Sequence, residues 1–343
     1  MEYQTPELST LPGKNVLVTG GTGFTGLHLT KALLQVGAIV SVLARKSSDP
    51  VKLKGLAQKG ARIVHGDVTD AAVVKSACEG KDVVFHLAAL FRQAKFIDRV
   101  YYDVNVGGTE NVLNAACETS VSRVVHCSTV GVHSHIPNPP ADESEAYRPG
   151  DIYQETKCEG EKLARSYFES KKIDGVVVRP AMIWGDGDRR MLKLFKGVAR
   201  RRFPVIGDGK TLTHWVYVKD LVNGFLLAAD RAPAAGGIYI FAGRRPITIS
   251  ELVATIAKRA GVKPLPFRIP ALPVQLLGSL VETLCIPFGI EPPIYRRRVD
   301  FFTKDRCFDT TKAQTELGYQ PLGDVEDEID QIYTWYSQHG WLN

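Results

Sequence analysis

The stretch KNVLVTGGTGFTG, residues 14–26, decides the fold. An apolar, β-branched run ends at Thr19, and glycines then fall at 20, 21, 23 and 26. The run reads as a short strand buried on both faces. Leu27, Leu29, Leu33, Leu34 and Val36 continue it as a helix that Gly37 stops. Gly21, Gly23 and Gly26 fit GxGxxG, and Gly20, Gly23 and Gly26 fit the wider GxxGxxG. Either spacing makes a tight turn that lets backbone N–H groups reach a pyrophosphate at a helix N-terminus, where the dipole attracts anions. No Gly-Lys-Ser/Thr follows, so this is not a P-loop. Thr19, Gly20, Gly23, Phe24, Thr25 and Gly26 are the expected cradle, with Thr22 adding a hydroxyl.

Outward from the loop, strand and helix signals alternate. Further strands are expected at 38–44, 61–67, 81–89, 122–129 and 174–180. Helices are expected around 50–59, 70–79, 99–119 and 152–170. Apolar strands separated by helices imply an α/β fold with a parallel, doubly wound sheet. After Pro180 the texture changes. Gly and Pro punctuate 184–190 and 203–215, then 216–230 reads as an amphipathic helix and 236–243 as one more strand. The expected division is a dinucleotide-binding unit over 1–183, to which 216–243 returns. A smaller C-terminal α/β substrate-binding subdomain takes 184–215 and 244–343.

Bulk properties narrow the function. The chain has 343 residues, 44% hydrophobic and 23% charged, which suits a globular protein with a sizeable core. A net charge of +6 suits an anionic ligand or an acidic membrane surface. Basic clusters stand at 189–190, 200–202 and 296–298, without interleaved aromatics or zinc-finger spacing, so neither nucleic acid nor a metal is expected. Six cysteines form no CxxC pair, which points to a reduced, cytoplasmic compartment. Nothing reads as a signal peptide or as a run long enough to span a bilayer. The segment 269–293 is unusually apolar, with Leu272, Leu276, Leu280 and Leu284 every four residues. It is expected to form a short helix that packs on its own domain, rims a hydrophobic cleft, or makes a peripheral membrane contact across 270–290.

The end of the second strand chooses between dinucleotides. NAD sites place an acid there, roughly twenty residues past the loop, for the ribose hydroxyls. This chain has LARKSS at 43–48, with Arg45 and Lys46 in that place. Arginine suits a 2′-phosphate, so NADP(H) is favoured and NAD(H) stays open. Asp67, beside Val68 at the end of the third strand, is placed to accept from an adenine amino group.

Chemistry enters with YQETK, residues 153–157. Tyr153 and Lys157 are i and i+4, so they share a helix face. A neighbouring ammonium stabilises phenolate, and such a tyrosine can move a proton at a carbonyl or carbinol oxygen while hydride moves at carbon. YFESK at 167–171 repeats the spacing. The two pairs lie ~21 Å apart along one helix, so one ligand cannot meet both. Tyr167 and Lys171, at the helix end, read as surface. Tyr153 instead follows HCSTVG (126–131), which ends the fifth strand, and ligands sit at strand carboxyl ends in such sheets. Ser128 and Thr129 therefore offer hydroxyls to the same oxygen. His133, Trp184 and His214 are candidate pocket walls.

Together these pieces resemble the extended short-chain dehydrogenase/reductase superfamily, the NAD-dependent epimerase/dehydratase family. The matching motifs run in order along nearly the whole chain: TGGTGFTG (19–26), GDVTD (66–70), HLAA (86–89), NVGGT (105–109), CSTVG (127–131), YQETK (153–157) and RPAMIWG (179–185). The resemblance implies a Rossmann-type fold and a Tyr–Lys–Thr/Ser mechanism. It implies that Thr129 is the hydroxyl partner and that Lys157 also holds nicotinamide ribose. It further implies that the backbone after Arg179 and Pro180 flanks nicotinamide, and that Leu87, Ala88, Ala89, Asn105 and Cys127 belong to the cofactor site. A homodimer paired through cofactor-domain helices is a further implication. Residues 205–230 and 270–321 look like the 3β-hydroxysteroid dehydrogenase and dihydroflavonol-reductase-like branch. That implies a hydrophobic ketone or alcohol substrate of steroid, lipid or polyketide type. Sugar-nucleotide epimerases carry an arginine where this chain has Thr213 and His214. Arg298 can still meet a phosphate, so a nucleotide-sugar 4-epimerase or dehydratase with tightly bound NAD stays open as the alternative.

Overall fold

The computed structural model describes residues 3–91, 97–285 and 296–342; residues 232, 279–280, 282–285 and 296–298 are described by their backbone alone. The first half alternates β1 (Asn15–Thr19), α1 (Phe24–Gln35), β2 (Ile39–Ala44), α2 (Pro50–Gln58), β3 (Arg62–His65), α3 (Ala71–Cys78) and β4 (Val83–His86). Then come α4 (Asp98–Tyr102), a π-helical turn (Asp103–Gly107), α5 (Gly108–Glu118), β5 (Arg123–Cys127), α6 (Ile152–Glu169) and β6 (Gly175–Pro180). Shorter elements follow: β7 (Met182–Trp184), α7 (Leu192–Ala199), β8 (Val205–Ile206), β9 (Leu212–Thr213) and β10 (Trp215–Tyr217). The chain continues through α8 (Val218–Asp230), β11 (Ile238–Phe241), β12 (Ile247–Thr248), α9 (Ile249–Arg259), β13 (Arg268–Ile269) and α10 (Ala271–Cys285). It ends with α11 (Arg296–Thr303), α12 (Thr311–Leu317) and α13 (Val325–Gln338).

Seven strands form one parallel sheet in the order β3-β2-β1-β4-β5-β6-β11. Both faces are covered, as the β-branched runs require. Val16, Val18, Val40 and Val42 face Leu29 and Leu33 of α1 and Leu221 and Phe225 of α8. Their neighbours Leu17, Leu43 and Val84 face Val74, Val112, Leu113 and Phe168 of α3, α5 and α6. This alternation is the two-residue period of a strand. Winding reverses between β1 and β4, which opens a crevice at the carboxyl ends of those strands. The glycine loop leaves β1 there.

A third apolar cluster lies outside the sheet, built from Trp184, Phe195, Trp215, Ile256, Ile329 and Tyr336. Trp184 stacks on Trp215 with ring centroids 4.7 Å apart. Two sequence expectations change here. The segment 216–230 is not helical from its start: Trp215–Tyr217 pairs in parallel with β7, and α8 begins at Val218. Nor is α8 amphipathic, since all its residues except Lys219 are buried. It is enclosed by the sheet, by α1 and by the N-terminal segment, whose Ser9 and Thr10 N–H groups bond Asp230 Oδ1 at 2.9 and 2.6 Å. The apolar segment does form a helix, α10, although residues 286–295 lie outside the described residues, as does the Arg298 side chain on which the nucleotide-sugar alternative drew.

Candidate active site

The glycine loop is shaped by close approach. Gly20 has φ +73°, and a Cβ there would sit 2.7 Å from the Ala88 nitrogen. A Cβ on Gly26 would sit 2.2 Å from the Gly20 oxygen. The turn closes through Gly23 N–H to Gly20 O at 2.9 Å. Helix α1 then starts on Gly23 with no side-chain cap and no acid in its first turn. Its N-terminal N–H groups and dipole therefore suit an anion. A dinucleotide pyrophosphate fits this cradle, which any side chain at Gly20 or Gly26 would close.

Arg45 and Lys46 are exposed just past β2. A third cation joins them. Lys52, half-buried in the first turn of α2, donates from Nζ to the Thr22 carbonyl at 3.1 Å. Sequence reading missed it, although its place seven residues after Arg45, on the helix that follows β2, was the available signal. Asp67 accepts from Thr69 N–H and Oγ1 at 3.1 and 3.0 Å, so one of its oxygens closes a turn at the end of β3. Val68 is buried there against Gly108.

A row of polar residues crosses the sheet beneath the crevice. The Ala88 N–H donates to Thr19 Oγ1 at 3.2 Å, and Thr19 lies 2.8 Å from His86 Nδ1. His86 Nε2 lies 3.0 Å from Thr109 Oγ1, which donates to Asn105 O at 2.7 Å. The directions close only with His86 neutral and its proton on Nε2. Burial agrees, pushing His86 down to about 3. Asn105 is spent as a clip. It accepts from Leu90 N–H at 2.7 Å and donates to Leu90 O and to Thr156 Oγ1 at 3.2 and 3.0 Å. Thus the 87–90 loop is held against α6, with Leu87 and Ala88 half-buried and Ala89 exposed.

On α6, Tyr153, Lys157 and Glu161 stand four residues apart on one stripe. Tyr153 lies in the first turn, half-buried, its ring edge-on to Phe91 with centroids 4.9 Å apart. Lys157 is buried one turn on, and its ammonium donates to Cys127 O at 2.7 Å. Burial lowers the Lys157 pKa, while the Glu161 carboxylate works against that shift. The Cys127 thiol is pushed up to about 11 by burial, so it stays protonated.

The two hydroxyls of Ser128–Thr129 part company. Ser128 is buried and donates a short hydrogen bond to Glu161. Thr129 is half-buried, and its Oγ1 accepts from Gly131 N–H at 3.0 Å. A hydroxyl that accepts in this way keeps its proton for another oxygen. The Arg179 side chain is committed to the interior as well. Its guanidinium meets Glu161 Oε1 at 2.6 Å and also donates to Glu143 O, Tyr147 Oη and His133 Nε2. Burial pushes Glu161 up, but bonds from Arg179, Ser128 and Tyr147 hold it below the usual carboxylate range. Pro180 is buried beside it at the end of β6.

None of the three expected pocket walls lines an open pocket. His133 is fully buried and donates from Nδ1 to Ala146 O while accepting from Arg179. Trp184 is buried against Trp215 and donates to Glu328 at 2.6 Å. His214 is buried between Gly243 O and the Phe308 N–H. Each is satisfied by backbone or buried acid, which sequence proximity to the motifs could not reveal. The second Tyr–Lys pair is separated as expected. Tyr167 bonds Asn114 on α5 at 2.6 Å, and Lys171 lies exposed beyond the helix with φ +56°.

Comparison with known proteins meets the same region. The family model described as the NAD dependent epimerase/dehydratase family matches residues 16–241. A 3 beta-hydroxysteroid dehydrogenase/Delta 5→4-isomerase of Mycobacterium tuberculosis is 31% identical, over 94% of this chain and 90% of that relative. A 4-hydroxy-2-methyl-3-oxo-4-farnesyl-3,4-dihydroquinoline-1-oxide ketoreductase of Stigmatella aurantiaca is 32% identical, over 88% of this chain and 90% of that relative. Among solved structures, a dTDP-glucose 4,6-dehydratase of Streptomyces venezuelae with NAD bound matches with a TM-score of 0.76 at 26% identity, covering 96% of this chain and all of that one.

Proposed function

The chain belongs to the NAD dependent epimerase/dehydratase family and is an enzyme of dehydrogenase/reductase type; from that premise we propose that it interconverts a secondary alcohol and a ketone on a hydrophobic substrate, with NADP(H) preferred to NAD(H). The observation that carries the reading is the α6 stripe, with Tyr153 in the first turn and the Lys157 ammonium held at the end of β5. The glycine loop and Lys157 would hold a dinucleotide that, when bound, would supply or take up the hydride. Tyr153 gives its phenolic proton to the substrate oxygen as the alcohol forms and accepts it back in oxidation. Lys157 stabilises the phenolate so produced. Thr129, whose proton is uncommitted to Gly131, donates to the same oxygen and fixes its position.

The cations Arg45, Lys46 and Lys52, with no acid at the end of β2, support a 2′-phosphate and hence NADP(H). The names of the steroid and farnesyl-quinoline relatives support a bulky apolar substrate. The test is turnover. Purified protein is offered NADPH and NADH with cyclic apolar ketones, 3-ketosteroids among them, and separately with nucleotide sugars. Oxidation of NADPH by a ketone is expected, and its loss in Tyr153→Phe. Copurified NAD, with nucleotide sugars interconverted and no added cofactor consumed, would instead establish the epimerase or dehydratase reading.

A further inference from the structure

Helix α10 leaves an apolar face uncovered. In its first two turns Leu272, Leu276 and Leu277 are 65%, 64% and 48% exposed, and Pro273 is exposed between them. At 3.6 residues per turn these four positions cover an arc of about 140°. Gly278 is buried on the opposite side, and Ala271, Val274 and Gln275 are half-buried. No charged residue falls within 270–278. A single exposed leucine needs no explanation, but a contiguous apolar face does. Phe267, just before β13, is a further large apolar side chain left 55% exposed.

The chain brings positive charge to this face. β13 pairs in parallel with β8, Arg268 opposite Val205 and Ile269 opposite Ile206. The pairing sets the turn after α7, with exposed Arg200, Arg201 and Arg202, beside the segment holding Lys263 and Phe267. α10 leaves the other end of the same short ladder, where a Cβ on Gly207 would lie 3.8 Å from Ala271. At ~3.3 Å per strand residue, the basic turn and the start of α10 are about 15 Å apart. Arg268, exposed between them, bonds the Asp208 carbonyl and Ser250 Oγ. Over 200–210 and 263–269 the sequence sets Arg200, Arg201, Arg202, Lys210, Lys263 and Arg268 against the lone acid Asp208.

We propose that α10 and the 200–202 turn dock this protein on an anionic phospholipid surface. Leu272, Leu276 and Leu277 enter the acyl boundary, Phe267 sits at headgroup level, and the arginines meet lipid phosphates. Charge complementarity selects this occupant over a second copy of the chain, which would bring the same cations face to face. No described helix is long and apolar enough to cross a membrane, and α10 lies along the interface in this arrangement. The proposal stands apart from the reaction assigned above.

The test is flotation of the full chain with vesicles of phosphatidylcholine alone or mixed with phosphatidylglycerol. Binding to the mixed vesicles only is expected. Leu276→Asp is expected to lower the bound fraction at least about tenfold, since it removes one leucine's burial. The triple change Arg200→Gln, Arg201→Gln, Arg202→Gln is expected to lower it about tenfold or more at low salt. Both sets of positions are exposed, so unchanged melting curves are expected, and Ile39→Asp, at an exposed site on β2, should leave binding intact. Equal binding to neutral vesicles, no binding at all, or indifference to Leu276→Asp would overturn the proposal. So would a dimer in solution that Leu276→Asp dissolves while vesicles bind neither form, which would make a second copy the occupant.

Discussion

Lys157 donates its ammonium to the carbonyl oxygen of Cys127, 2.7 Å away, and so joins α6 to the carboxyl end of β5. The bond settles a buried cation without a carboxylate as its direct partner. It also sets the register of α6, leaving Tyr153 one turn nearer the open crevice and Glu161 one turn deeper. The positions on this stripe differ in what surrounds them: a half-exposed aromatic contact, a backbone carbonyl, and a buried arginine.

The hydroxyls just past β5 separate by substitution. Tyr153→Phe is expected to reduce kcat by about 10²- to 10⁴-fold with dinucleotide binding retained. Thr129→Val is expected to reduce kcat by more than Ser128→Ala. Ser128→Ala should act chiefly on stability, by about 1.5–3 kcal/mol, because its partner is the ionised Glu161. Steady-state kinetics and thermal melts on the same preparations decide this. A larger kinetic loss in Ser128→Ala would reverse the roles.

Cofactor preference should follow the cations beside the loop. Arg45→Asp is expected to lower the ratio of kcat/KM for NADP(H) to that for NAD(H) by about tenfold or more, the scale of one lost charge-assisted phosphate contact. Lys52→Ala should weaken NADP(H) more than NAD(H). If both dinucleotides weaken equally, Lys52 serves only the Thr22 carbonyl that it already holds.

Two glycines give opposite outcomes. Gly26→Ala puts a Cβ 2.2 Å from the Gly20 oxygen, so the loop must open and dinucleotide binding should be lost, as followed by quenching of protein fluorescence. Gly55 lies inside α2 with nothing within 4 Å of its added Cβ. Gly55→Ala should raise stability by about 0.5–1 kcal/mol through helix propensity. A Gly26→Ala protein that binds dinucleotide normally would falsify the close-packed loop.

Asp220 gives a pH signature. It is buried in α8, accepts from Leu322 N–H at 3.1 Å, and burial pushes it up to about 6. A raised carboxyl contributes stability that is complete below its unfolded value, near 4, and is lost as pH rises through 6. At pH 7.5 the wild type therefore carries the cost of a buried charge. Asp220→Asn, which can still accept from Leu322, should melt a few degrees higher at that pH, a gain on the order of 2 kcal/mol. The gain should vanish as pH falls toward 4. Glu328 is raised by burial and by Asp220, so the two buried carboxyls are electrostatically coupled. An Asp220→Asn advantage that is constant with pH would count against this account.

Much of the site was legible because its parts are local. Val16, Leu17 and Val18 alternate with a strand's period, and the glycines at 20, 23 and 26 mark where a backbone must turn and pack closely. Tyr153 and Lys157 share a face by spacing alone. The decoy pair at 167 and 171 was separable because one residue of it falls past the helix end. His133, Trp184 and His214 were misread for the opposite reason. Polar or aromatic side chains after a strand carry no local mark of which way they point, and each is buried by elements far along the chain.

The sequence by itself determined the parallel sheet, the close-packed glycine loop and the Tyr–Lys stripe, since each depends on backbone geometry within a few residues. Tertiary structure decided the assignments within the site. It sent Ser128 to Glu161, 33 positions away, and left Thr129 half-buried, accepting from Gly131 N–H. It brought Lys52 to Thr22, 30 positions away, and paired the Arg179 side chain with Glu161 in the interior. Those contacts follow from how finished helices and strands pack, and residue spacing carries no information about that beyond a turn or two.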